Sequence, residues 1–262
     1  MSDPVIAVCP DQPDAITHRL QTLAGELHLP SVTLSQALQQ AVDYWLRDVE
    51  HVLQLQPVDK KRGGPLFVDF NSGAAKHRRE GSGIRQEIAK AVGCKSQYRP
   101  TVLDVTAGLG GDAFVLACLG CTVTLVENNP LVYLLLADGL ERAQQLDSDV
   151  AEIVSSQMQL LPRQNSLDYL AVAEQQIFDV VYLDPMFPER KKSAKVKKGM
   201  QYFHDIVGLN IEQEAELLGL AQKVARKRVV VKRPKGAPEL ADKKPSFTLS
   251  SKTLRYDVYV NS

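Results

Sequence analysis

From about residue 101 onward, short apolar runs alternate with longer segments whose apolar residues recur at three- and four-residue spacing, the pattern of strands and helices taken in turn. Strands are predicted at 101–105, 122–127, 158–161, 179–183 and 228–232, each rich in Val, Leu or Ile and bounded by Gly, Pro, Asn or Asp. Helices are predicted at 112–119, 131–146, 166–173 and 211–227, with Pro130 at a helix start, where the missing N–H costs nothing. Segments 246–249 and 254–260 alternate apolar and polar residues around a Ser-Ser-Lys turn, which predicts an antiparallel hairpin closing a sheet edge. Strands and helices in this alternation make a doubly wound α/β domain with a mostly parallel seven-stranded sheet.

The first hundred residues follow a different pattern. Segments 5–9, 44–49, 51–58 and 66–70 read as strands and 14–28 as a helix; Leu53 and Leu55 alternate with Gln54 and Gln56. A glycine- and base-rich stretch at 71–83 then leads to a short helix at 84–92 that ends at Gly93. The expected organisation is a small N-terminal α/β annex over 1–75, a basic connector with its helix over 76–100, and the main domain over 101–262. The lone Trp45 belongs in the annex core.

A chain of 262 residues is long enough for one sizeable core plus such an annex. No apolar run approaches the roughly 18 residues of a membrane span, and Met1 is followed by Asp3 and Pro4 rather than a basic and then apolar leader, so a soluble, cytoplasmic protein with no membrane partner is expected. The four cysteines, Cys9, Cys94, Cys118 and Cys121, are too few for a disulfide scaffold. The CxxC at Cys118 and Cys121 has no second pair to complete a zinc site, so reduced thiols and no metal are expected. Net charge is zero, and any steering of a polyanion falls to local basic patches.

The run Leu103-Asp104-Val105-Thr106-Ala107-Gly108-Leu109-Gly110-Gly111-Asp112 places three glycines between a buried strand and an amphipathic helix, where an open α/β sheet binds its cofactor. Glycine lets the backbone turn sharply and lets a ligand approach where a Cβ would collide, and the helix start offers free N–H donors. The next strand ends in Glu127, whose carboxylate is placed to accept ribose hydroxyls. Gly108 to Ala113 also satisfies GxGxxA, which keeps a nicotinamide oxidoreductase open. Asp104 closing the strand and Asp112 opening the helix would repel a pyrophosphate, however, and suit the sulfonium of S-adenosyl-L-methionine better.

The fourth main-domain strand ends Tyr182-Leu183-Asp184-Pro185-Met186-Phe187-Pro188. An exocyclic amine on a nucleobase is a poor nucleophile because its lone pair is delocalised into the ring. Asp184 and the Pro185 carbonyl could accept the amine protons and aim the lone pair, while Phe187 could stack on an extruded base. An ordinary Asp-Pro turn would look the same in isolation.

With these motifs the chain resembles the RsmJ family of bacterial 16S rRNA guanine-N(2) methyltransferases, class I enzymes with a Rossmann-like sheet. The resemblance rests on Phe67-Val68-Asp69-Phe70 with Lys76-His77-Arg78-Arg79, on Asp104 to Gly110 with Asp112-Ala113-Phe114, on Tyr182 to Pro188, and on Val229-Val230-Val231-Lys232-Arg233-Pro234. It implies transfer of a methyl group from S-adenosyl-L-methionine to a guanine N(2) in 16S rRNA or the assembling small subunit. The implied cofactor contacts fall on Gly111 and Asp112, Glu127 and Asn128, Asn165 and Ser166, and Asp184, with backbone contact expected at Gly111 and Asn128. Asp104, Gly108 and Gly110 join them from the glycine turn, and Asp184, Pro185 and Phe187 form the expected catalytic set.

Residues 189–198 carry six positive charges and one negative immediately after the catalytic loop. Such a run is often only solvated, but beside a base pocket it is placed for phosphates. The expected RNA contacts are Arg190, Lys191, Lys192, Lys195, Lys197 and Lys198, with Lys76, Arg78, Arg79, Lys232 and Arg233. The acid-Pro-x-aromatic loop is shared with adenine-N(6) and glutamine methyltransferases, so spacing alone leaves the acceptor open.

Overall fold

The computed structural model describes residues 5–8, 15–32, 42–73, 86–185 and 213–261. The chain divides into two compact units, one holding residues through Val68 together with Leu134–Gly139, the other holding Asp69–Tyr133 and the described chain from Leu140 onward.

The first unit carries a three-stranded sheet, β1 (Ile6–Val8), β2 (Tyr44–Val49) and β3 (Val52–Pro57), with helix α1 (Ala15–Glu26) between β1 and β2 in sequence. β1 pairs parallel to β2, and β2 and β3 form an antiparallel hairpin. Ala7, Val32, Val42 and Trp45 close a small core there, as expected for Trp45. Arg19 reaches Asp48 at 3.0 Å and Asp138 at 2.8 Å, and the other Asp138 oxygen accepts the Leu53 N–H. The strand expected at 66–70 is not formed. Leu66, Val68 and Phe70 are buried in alternation, but only Leu66 finds a ladder partner, an isolated bridge to Leu55, and Asp69 folds back to accept the Asn71 N–H.

The second unit is the expected α/β sheet. After helix α2 (Glu87–Val92) come β4 (Thr101–Asp104), α3 (Gly111–Cys118), β5 (Thr122–Leu125), α4 (Pro130–Gln144, of which Leu134–Gly139 is counted with the first unit), α5 (Asp149–Gln157), β6 (Met158–Leu160), α6 (Ser166–Val172), β7 (Phe178–Leu183), α7 (Glu214–Val224), β8 (Ala225–Pro234), β9 (Phe247–Ser250) and β10 (Leu254–Val260). The seven strands lie in the order β6-β5-β4-β7-β8-β10-β9, all parallel except for the terminal hairpin, in which β10 runs antiparallel to both β8 and β9. Leu103, Val181, Leu183, Val229 and Val231 are buried in a core that also takes Leu218, Ala221 and Val224 of α7. Burying a Val or Leu side chain contributes roughly 1.5–3 kcal/mol, so these strands are held chiefly by their apolar faces.

Most element ends shift from expectation by a few residues, and two differences have a plain cause. The helix expected to run to 227 stops at Val224 because Ala225 already pairs with Phe178, which lengthens β8 at its start. Helix α5 was not anticipated; Val150 and Val154, four residues apart, are its buried stripe. Cys121 lies with its Sγ 3.5 Å from that of Cys94, and neither is disulfide-bonded. No helix among the described residues is long and apolar enough to cross a membrane.

Candidate active site

Three adjacent parallel strands, β4, β7 and β8, bring their carboxyl ends together, with Asp104 registered beside Tyr182 and Leu183 beside Val231. Asp104 is 2% exposed and closes β4. One of its oxygens accepts the Thr106 N–H at 3.0 Å, which folds the chain into the turn that follows. Burial, and after it the charges of Asp112 and Asp184, push the Asp104 carboxyl up to about 8.

The turn is built by glycine where only glycine is comfortable. Gly108 and Gly110 hold φ of 54° and 73°, the left-handed region that a Cβ disfavours. α3 starts immediately after, at Gly111, with Asp112 in its first turn, where a carboxylate is favoured by the helix dipole. Glu127 lies just past the end of β5 and is 8% exposed. Its Oε2 accepts the Gly108 N–H at 2.8 Å and its Oε1 the Asn129 N–H at 2.7 Å. Burial raises the Glu127 carboxyl above its ordinary range, against the pull of those backbone N–H groups.

Asn128 is exposed, and its carbonyl accepts from Arg163 at 3.2 Å. Asn165 caps α6 by accepting the Leu167 N–H at 2.8 Å. The Ser166 hydroxyl donates to the Val105 carbonyl, so that side chain ties the β4 turn to α6.

On the facing side, the Asp184 N–H donates to the Thr106 hydroxyl at 2.6 Å, linking the acid-Pro loop directly to the glycine turn. Lys232 lies between two carboxylates, its Nζ 2.7 Å from Asp112 Oδ2 and 2.8 Å from Asp184 Oδ2. The Tyr182 hydroxyl donates to the same Asp112 oxygen at 2.7 Å. Burial alone would lower the Lys232 ammonium, but Asp112 and Asp184 hold it above its ordinary range. Asp184 itself is half-exposed, and Pro185 follows it at the same rim.

The structure therefore gathers Asp104, Gly108, Gly110, Gly111, Asp112, Glu127, Asn128, Asn165, Ser166, Asp184 and Pro185 at the carboxyl ends of neighbouring strands. Lys232 turns to Asp112 and Asp184 within the site. Arg233, expected as an RNA contact, is a correction. Arg233 is 1% exposed and bonded to Glu214 at 3.1 Å and to the Pro238 carbonyl, because β8 continues beyond the expected strand end and carries it into the interior. Phe187, Lys76, Arg78, Arg79, Arg190, Lys191, Lys192, Lys195, Lys197 and Lys198 lie outside the described residues. Sequence reasoning missed Thr106, the Tyr182 hydroxyl and Tyr256, which pairs with Lys232 across β10 and β8. One signal was present: a lysine closing a run of three buried valines has apolar neighbours on a central strand, a setting that favours an inward cation with partners.

A sheet of this order, with a buried acid, a glycine turn and a second acid at consecutive strand ends, defines a class I S-adenosylmethionine-dependent methyltransferase. The sequence matches the model of the SAM-dependent methyltransferase family over residues 30–261. It is 51% identical over 216 residues to ribosomal RNA small subunit methyltransferase J of Tolumonas auensis, covering 81% of this chain and 84% of that one. It is 49% identical over 223 residues to the protein of the same name from Colwellia psychrerythraea, covering 85% and 80%. The crystal structure of a SAM-dependent methyltransferase from Neisseria gonorrhoeae superposes with a TM-score of 0.70 at 35% identity, covering 97% of this chain and 95% of that one. The chain belongs to the ribosomal RNA small subunit methyltransferase J family, and its cofactor is S-adenosylmethionine.

The residues present fit that cofactor. The glycine turn has no Cβ at its two left-handed positions, the helix start bears a carboxylate instead of a phosphate seat, and the Glu127 carboxylate keeps acceptor capacity beyond its backbone bonds. When bound, the cofactor supplies an electrophilic methyl group.

Proposed function

We propose that this protein methylates the exocyclic N(2) amine of a guanine in small-subunit ribosomal RNA, in the cytoplasm. The observation that carries the reading is Asp184 at a half-exposed rim, its carboxylate paired with Lys232 and its backbone N–H donating to the Thr106 hydroxyl, which joins it to the glycine turn. An acid there accepts an N–H of the amine, and the Pro185 carbonyl offers a second acceptor. Together they fix the lone pair in the direction of transfer before the proton becomes acidic. Glu127 and the glycine turn hold the ribose end, and Asp112 gives the helix start a negative charge suited to a sulfonium. Phe187 supplies a stacking face, and the basic residues at 190–198 with Lys76, Arg78 and Arg79 track phosphates. The name borne by the relatives supports the acceptor class, and the family resemblance selects guanine.

Single-turnover transfer of labelled methyl to 16S rRNA and to small subunits, both from a strain lacking the enzyme, tests this. Mass mapping is expected to place the product on one guanine. A product on an adenine amine or on a protein glutamine, with guanine untouched, would overturn the acceptor while keeping the chemistry.

A further inference from the structure

We propose that Lys232 is a positioning residue for methyl transfer, holding the Asp184 carboxylate in its acceptor orientation and coupling it to Asp112 at the cofactor helix. The inference rests on the assignment of Asp184 above. Lys232 sits on β8, Asp112 opens α3 and Asp184 follows β7, so one ammonium joins three elements through contacts of 2.7 and 2.8 Å. Two carboxylates sharing a site repel, and a cation between them lets both remain ionised in fixed places.

The arrangement is a poor way to gain stability. A mostly buried ion pair roughly breaks even against an apolar side chain of similar volume, so packing alone would be served by Met. It suits an active site, because an oriented charge is worth most where water is excluded. It also resolves a conflict of sign: an unpaired lysine would repel a sulfonium, whereas this cation is offset by two carboxylates.

Among the described residues, the groups facing this cluster are Asp112 from α3, Asp104 from β4, Tyr182 from β7 and Tyr256 from β10, with Glu87 of α2 acting on Tyr256. Burial and then the nearby carboxylates raise both tyrosines above their ordinary range, and the Tyr182 hydroxyl donates to Asp112. Lys232 interacts with both Asp112 and Asp184.

The test compares Lys232→Met, Lys232→Gln and Lys232→Arg with the wild type in single-turnover transfer across pH. Cofactor affinity is measured by calorimetry and RNA affinity at several salt concentrations. The wild-type product is mapped first, so a wrong acceptor is recognised independently, and the variants are then assayed on whichever amine the wild type modifies. Lys232→Met is expected to lower the transfer rate tenfold or more with cofactor and RNA affinity within about threefold of wild type. The acidic limb of its rate profile should move up by about one pH unit, because an adjacent cation favours the ionised carboxylate. Lys232→Arg should restore part of the rate and the original limb. If Lys232→Met does not fold, Lys232→Gln carries the same expectations. A limb that stays in place, or a rate loss matched by an equal loss of cofactor affinity, would overturn the proposal. Weakened RNA binding with a flatter salt dependence would overturn it in favour of a phosphate contact.

Discussion

The Glu127 carboxylate accepts the Gly108 N–H at 2.8 Å while its other oxygen accepts the Asn129 N–H at 2.7 Å, so the acid proposed to read the ribose also braces the glycine turn. Gly108 stands at a φ of 54° in that turn, and Asn129 caps α4 by accepting the Leu131 and Val132 N–H groups. One side chain thus joins the glycine turn to the cap of the next helix.

Glu127→Ala should therefore weaken S-adenosylmethionine binding by about 1–3 kcal/mol, the loss expected when buried hydroxyls and the Gly108 and Asn129 N–H groups lose a charged acceptor. Glu127→Gln keeps the shape and one acceptor oxygen and should lose less. Calorimetry with the cofactor and with its demethylated product checks both. Equal affinity for wild type and Glu127→Ala would remove Glu127 from the cofactor site.

Asp104 makes a prediction about pH. Burial, followed by the Asp112 and Asp184 charges, pushes its carboxyl up to about 8. In the unfolded chain an aspartate releases its proton near pH 4. Between those values the folded state keeps a proton that the unfolded state has lost, so this group's contribution to stability declines as pH rises through the window. Asp104→Asn removes that slope and keeps an acceptor for the Thr106 N–H. Thermal unfolding of the two proteins at about pH 5 and about pH 8 should show the variant gaining on the wild type at the higher pH. Parallel curves would mean that Asp104 is ionised in the folded protein.

Much of this site can be read from residues alone because each acid follows a buried run. Asp104 ends β4, Glu127 follows β5 and Asp184 follows β7, and a charge closing an apolar strand sits at the mouth of an open sheet. Lys232 follows three buried valines on β8, two residues before the strand ends, yet the carboxylates it meets are hidden until β8 is known to lie beside β7, a pairing between segments about 50 residues apart. The strand expected at 66–70 failed for a related reason. Its alternation reports burial of Leu66, Val68 and Phe70, and alternation cannot say whether a backbone partner is present. Helix α5 escaped notice because a nine-residue element with two buried positions has a weak period.

Two helical glycines should respond in opposite ways to alanine. A Cβ on Gly139 would lie 2.3 Å from Val68 Cγ1 and 3.2 Å from the Val68 carbonyl oxygen, and Gly219 has nothing within 4 Å. Gly139→Ala should destabilise by about 1–3 kcal/mol, since forced overpacking outweighs the gain in helix propensity. Gly219→Ala, in α7, should stabilise by about 0.5–1 kcal/mol from propensity alone. Denaturant unfolding of both variants decides it, and a stabilised Gly139→Ala would show that the Val68 contact yields easily.

With Asp184 proposed as the acceptor of the amine proton, its variants separate orientation from charge. The amine acceptor holds its lone pair in the ring, so the enzyme gains by placing an acceptor on the N–H before transfer and by stabilising positive charge as the new bond forms. Asp184→Asn keeps the shape and one acceptor oxygen but removes the charge, leaving Lys232 with Asp112 alone. Asp184→Ala removes both. Each variant should fold and bind S-adenosylmethionine, because the tie from the Asp184 N–H to the Thr106 hydroxyl uses the backbone and survives substitution. If charge dominates, Asn should cost on the order of a hundredfold in single-turnover rate, similar to losing one preorganised electrostatic partner, and Ala should cost about the same. If orientation dominates, Asn should retain much of the rate while Ala does not. Because Lys232 is held at this carboxylate, the charge outcome is the expected one, and Lys232→Met combined with Asp184→Asn should then be less severe than the product of the two single losses, since both remove the same ion pair. Near-wild-type transfer by Asp184→Ala would leave Asp184 as a turn residue and return the search for the acceptor of the amine proton to the rest of the loop.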